Sequence, residues 1–133
     1  MGDRGNIVLD YSTTGKAQPR IFLYTHWGGT ELPDDVRKAL LFAPDRWDDP
    51  AYLAGAIFKT MMGEGGRYCK QPHGHGITPY RTDFEHPDVV VLLESQQVQI
   101  GTHVWTFKEY VDLGSASKPV EYPEDAKLPK DED

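Results

Sequence analysis

Three short segments concentrate the side chains that could do chemistry: His26-Trp27-Gly28-Gly29, Arg46-Trp47-Asp48-Asp49-Pro50 and Asp83-Phe84-Glu85-His86-Pro87. Each falls where a regular element is expected to begin or end, where binding groups are commonly held on a rigid scaffold. In the first, the paired glycines would let backbone N–H groups approach an anion near the start of the following helix. Two glycines after a strand equally serve to turn the chain, and the dinucleotide and P-loop patterns are both absent. Trp27 either caps the core or stacks on a base. In the second segment two acids stand where a helix needs one cap. The spare member of Asp48 and Asp49 is left to accept a ribose hydroxyl, to pair with Arg46 or to face water, and Tyr52 fits either arrangement.

Asp83, Glu85 and His86 form a dense ionisable group. With His26 they offer metal-ligand types, but no His-Glu-x-x-His spacing is present and turn hydrogen bonds account for such residues as well. No metal and no cofactor are assigned. A histidine titrates near neutrality, so His26 or His86 could also serve as a general base, with Asp83 or Glu85 orienting it or holding a divalent metal. His73-Gly74-His75-Gly76 reads as a loop able to hold a metal adventitiously, and Cys69, alone and without a motif, reads as an inert thiol.

The elements that must position these groups follow from pattern. Asn6 to Tyr11 and Arg20 to Thr25 are rich in β-branched and aromatic residues, predicting a hairpin with a long loop over Ser12 to Pro19. Both strands carry apolar groups on each face, so the sheet is expected to be covered on more than one side. Pro33 followed by Asp34-Asp35 predicts a helix over 33–42. Asp48 or Asp49 as cap, Pro50 in the first turn and Leu53, Ala56, Ile57 and Met61 at helical spacing predict a second helix from 50 to about 62, ended by Gly63. Gly63 to Tyr80 reads as a long loop with a short strand at 76–80. The run Asp88 to Glu94 predicts a central buried strand, and Val98 to Gly101 the arm that turns back from it. Thr106-Phe107-Lys108-Glu109 has the capping-box pattern of a last helix over about 106–113.

These elements predict an α+β domain over 1–114: a largely antiparallel sheet of four to five strands with three helices, in the order ββ-αα-ββ(β)-α. Residues 115–133, with six acids against three lysines and several prolines, read as an acidic extended tail. Sheet apolar groups left uncovered by helices would call for a partner, hence an expected homodimer. A net charge of -7 argues against extended nucleic-acid binding. The longest apolar run, Val89 to Leu93, falls far short of the roughly 20 residues that cross a bilayer, and a lone cysteine suits a reducing compartment. The expectation is a protein of the cytoplasm, without a membrane partner.

The strings Leu23-Tyr24-Thr25-His26-Trp27-Gly28-Gly29, Arg46-Trp47-Asp48-Asp49-Pro50-Ala51-Tyr52-Leu53-Ala54, Asp83-Phe84-Glu85-His86-Pro87 and Trp105-Thr106-Phe107-Lys108-Glu109-Tyr110-Val111 resemble a family of small proteins of actinobacteria and their bacteriophages. The resemblance spans about residues 3 to 111 and leaves the tail outside; Phe84 departs from an Asp-Asn-Glu-His-Pro pattern. It implies a shared site and, for a phage protein, host takeover or defence evasion in the host cytoplasm, without implying a reaction.

The leading expectation is a non-enzymatic protein that binds a small polar, nucleotide-like ligand, extending to sequestration of a host immune signalling molecule. Trp27 or Trp47 would stack on a base. Asp48, Asp49 and Glu85 would accept hydroxyls, and Arg46, Arg81 and the Gly28-Gly29 backbone would face phosphate, with His26, Tyr52, Asp83 and His86 completing the site. A hydrolase built on the His/Asp/Glu group is the first alternative, and an inhibitor that contacts a host enzyme the second. In each case His26, Asp49 and His86 are expected to share one cleft.

Overall fold

The computed structural model describes residues 2–12, 20–68 and 74–129, so most of the predicted Ser12 to Pro19 loop, Cys69 and His73 lie outside the described residues. The apolar runs that predict the first hairpin form β1 (Gly5–Asp10) and β2 (Arg20–Thr25), antiparallel, with Ile7 opposite Leu23 and Leu9 opposite Ile21. Strand β3 (His75–Thr78) lies antiparallel against β2, and β4 (Val89–Leu92) lies parallel against β1. Strands β5 (Gln97–Ile100) and β6 (His103–Thr106) continue antiparallel from β4. The sheet order is β3-β2-β1-β4-β5-β6, which puts β4 in the interior as expected.

The α+β class agrees with the sequence, but the sheet has six strands rather than four or five and the order is ββ-αα-ββββ-α. The unforeseen strand is β6. Its residues precede the capping box and carry no strong run of their own; pairing with β5 across the turn at Gly101, whose φ is +63°, makes them a strand. Likewise β3 starts at His75, because the edge of β2 sets its register rather than its own propensity.

Helix α1 (Leu32–Phe42) carries Pro33 in its first turn, and α2 (Pro50–Tyr68) is opened by Asp49, whose Oδ1 accepts from Tyr52 N at 3.2 Å. The chain leaves helical geometry at Gly63, φ 62°, the residue at which the sequence predicts an end, and helical turns resume beyond it. Helix α3 (Phe107–Val111) has the full capping box: Glu109 N donates to Thr106 Oγ1 at 3.1 Å and Thr106 N to Glu109 Oε1 at 2.8 Å. Leu32, Val36 and Leu40 of α1, Leu53 and Ile57 of α2, and Phe107 and Tyr110 of α3 bury one sheet face, where Ile7, Leu9, Leu23, Val89, Val91, Val98 and Ile100 meet them. Each such side chain contributes about 1.5–3 kcal/mol by leaving water.

The other face is covered in part by residues 79–88. Arg81 lies over the Phe22 ring at 5.5 Å and holds Asp88 at 2.7 Å, and Asn6 Nδ2 donates to Asp83 O at 2.8 Å, so Val8 and Phe22 are buried. Toward β6 this face opens, and Val104 is 47% exposed. The stretch after Gly114 is tied to α1: Asp34 Oδ1 accepts from Arg37 Nε at 2.7 Å and from Val120 N at 2.9 Å, and Arg37 Nη2 reaches Ser115 O at 3.3 Å. No helix among the described residues is long and apolar enough to cross a membrane.

Candidate functional site

Strands β1 and β4 begin, and β2 ends, at the edge of the sheet that faces the start of α1. Four segments meet there. Asp3 N donates to His26 O at 2.8 Å, and Gly29 N donates to Asp3 O at 2.7 Å, so the chain before β1 lies along the turn after β2. Asp3 Oδ2 accepts from Thr30 N at 2.9 Å, while Oδ1 lies 2.5 Å from His86 Nε2 in the loop before β4. The His86 ring stacks on Tyr122, with centroids 4.9 Å apart and planes 5° apart, and Tyr122 donates its hydroxyl to Gly29 O at 2.7 Å. Gly29 is required by this closeness: a Cβ there would stand 2.7 Å from both Asp3 O and His86 Cδ2.

Beside this pair lies an exposed ionic clasp. Arg4 Nη1 holds Asp83 Oδ2 at 2.7 Å, Arg4 N donates to Glu85 Oε1 at 2.8 Å, and Glu85 N returns a bond to Arg4 O at 2.8 Å. The carboxylates keep half to two-fifths of their surface, 52% for Asp83 and 39% for Glu85. Hydrogen bonds from Arg4 hold the Glu85 carboxyl below its ordinary value. At Asp3 burial pushes upward, but the bonds from Thr30 and His86 outweigh it and the carboxyl is lowered. Asn6 is buried beneath the clasp and its Oδ1 finds no partner among the described residues.

Trp27 stands at the rim, 60% exposed. His26 meets it edge-on at 4.6 Å and 82° and is itself 3.1 Å from Tyr24 OH through Nδ1. Behind the indole lies Gly74, at φ +75°, where a Cβ would strike the ring, and Gly74 O accepts from His26 N at 2.8 Å. The indole is thus fixed from behind and open to solvent.

The first and third sequence segments therefore meet through Asp3. The second does not join them: it follows the far end of α1, whose eleven residues span about 16 Å. His26, Asp49 and His86 do not share a cleft, because α1 lies between the Gly-Gly turn and Arg46-Trp47-Asp48-Asp49. There Asp49 caps α2, Arg46 lies over the Tyr52 ring at 5.0 Å and 4.0 Å from Asp49, and Asp48 is exposed. Trp47 donates Nε1 to Leu40 O at 2.9 Å and packs edge-on against Phe107, a structural role that removes it as a stacking surface. The groups expected to face phosphate are also engaged within the fold. Gly28 N bonds Thr25 Oγ1 and Gly29 N bonds Asp3 O, while Arg81 grips Asp88 and Phe22.

Sequence reasoning missed Asp3, Arg4 and Tyr122. No spacing links positions 3 and 86, and Tyr122 lies in the segment read as tail; the one local hint was Asp-Arg placed just before a strand. Among the described residues no group of three or more His, Cys, Asp and Glu is arranged to hold a metal ion. No protein-family model matches the chain, and neither does any curated protein or solved structure.

Proposed function

We propose that the chain binds a small polar ligand with a nucleoside-like part, the base stacking on Trp27 and the sugar hydroxyls reaching Asp83 and Glu85. The observation that carries this reading is the indole: 60% exposed, yet packed against His26 and Gly74 on its other side. A large apolar ring backed by the fold on one side and open on the other offers stacking area at a reduced ordering cost, and base–aromatic stacking contributes about 1–3 kcal/mol. The neighbouring carboxylates are oriented by Arg4 and still accessible, as acceptors for hydroxyls should be. Since the glycine N–H groups and Arg81 are engaged elsewhere, recognition centres on base and sugar rather than on phosphate. In the phage setting that the sequence resemblance implies, such a protein would sequester a host signalling nucleotide.

Isothermal titration against nucleosides, cyclic dinucleotides and ADP-ribose derivatives tests this. Heat is expected with members that share one nucleoside, and Trp27→Ala should abolish it. Absence of heat with every member at about 100 μM protein would leave only binders weaker than about 5 kcal/mol and would reject the reading.

A second reading rests on the Asp3–His86 pair. A carboxylate on one imidazole nitrogen fixes the tautomer and supports general-base work. On this reading Asp3, rather than Asp83 or Glu85, would be the orienting acid. Turnover of a bound nucleotide that is lost in His86→Gln while binding persists would favour hydrolysis over sequestration.

A further inference from the structure

Between Ala51 and Met62, helix α2 carries one charged residue, Lys59. Leu53, Ile57 and Met61 bury one side in the core, as an amphipathic helix should. The opposite side, where charged residues normally stand, instead opens on a groove of about 1060 Å³ lined by Phe42, Tyr52, Gly55, Lys59 and Met62 among others. Phe42 is 83% exposed and Tyr52 52%. A Cβ on Gly55 would meet nothing within 4 Å among the described residues, so none of them requires glycine at a position where alanine favours the helix. Its absent side chain leaves room for a bulky group arriving from outside.

We infer that this face joins two copies of the chain about a twofold axis near Gly55, with Phe42 of each copy seated in the groove of the other. The knob and the hollow lie on the same patch, the condition for a self-complementary contact. The charges fit the same symmetry. Exposed Asp48 stands just before α2 and exposed Lys59 lies about one turn beyond Gly55, so an antiparallel pair of α2 helices crossing near Gly55 brings each Lys59 toward the other copy's start of α2, beside Asp48. The contact is independent of the Trp27 site, which lies at the other end of α1.

Sedimentation of the full chain at about 100 μM is expected to give twice the monomer mass. Phe42→Asp and Gly55→Glu alter exposed positions and should keep the native far-UV circular dichroism spectrum while weakening association at least about tenfold. Lys59→Glu should weaken it less. Leu113→Asp, on a different exposed surface, should leave it unchanged. A monomeric wild-type chain, or a dimer that tolerates both Phe42→Asp and Gly55→Glu, would overturn the inference. So would a wild-type chain that stays monomeric and uses this face for a different protein.

Discussion

At the scale of single residues, closeness and desolvation identify the positions that matter. Gly29 lies where the N-terminal segment, the turn after β2 and the His86 loop touch, and a methyl group there must displace Asp3 O or the His86 ring. Gly29→Ala is therefore expected to destabilise the fold by about 1–3 kcal/mol, read from denaturant melts, although Gly29 does not adopt the positive φ that by itself favours glycine. Asp35 is the other case. It lies in the first turn of α1, where burial, reinforced by Glu31, pushes its carboxyl up to about 7 against the opposing pull of Lys38. The unfolded group titrates near 4. Between about pH 4 and pH 7 the folded chain thus holds a proton that the unfolded chain has released, and this group's contribution to stability falls as pH rises through that window. Asp35→Asn should raise stability at pH 8 by about 1–2 kcal/mol, less than the full shift implies because the group is partly exposed, and should change little at pH 4. Asp3 and Asp34, with lowered values, act in the opposite sense: their contribution is present above the usual carboxylate range and is lost as pH falls below it.

At the scale of elements, the segment after Gly114 is bound to α1 by a buried charge pair rather than by a helix or strand of its own. Asp34 and Arg37 keep 9% and 5% of their side-chain surface, and the same carboxylate receives Val120 N. Removing Arg37 strips a buried anion of its closest cation, so Arg37→Ala is expected to cost about 3 kcal/mol in thermal or denaturant unfolding. Loss of protection at the Val120 amide, seen by hydrogen exchange, should accompany it. The sequence foretold elements whose signals are local: the run in β4, the Asp-Pro start of α2, and Thr106 with Glu109 at α3. It did not foretell β6, four residues that become a strand only through the hairpin with β5, nor the docking of Val120 and Tyr122, whose partners are distant in sequence.

For the molecule as a whole, topology decides which of the sequence clusters can act together. Two antiparallel strands followed by α1 carry the Gly-Gly turn to one end of that helix and Arg46 to Asp49 to the other, so proximity in kind was not proximity in space. The parallel pairing of β1 with β4 brings the residues preceding both strands side by side, and this juxtaposes Asp3 and Arg4 with Asp83, Glu85 and His86. Half of the site was readable from residue types; the half supplied by the N-terminal segment and Tyr122 depended on that pairing. The central claim, a nucleoside-like ligand stacked on Trp27, is tested most directly by the indole N–H signals of Trp27, Trp47 and Trp105 in a ¹H–¹⁵N correlation spectrum during titration with nucleosides and cyclic dinucleotides. Binding at the proposed site should shift the Trp27 signal progressively while the Trp47 signal, held by its bond to Leu40 O, stays in place. A Trp27 signal that does not move at about 1 mM of any such ligand, or a shift confined to Trp47 or Trp105, would contradict the account.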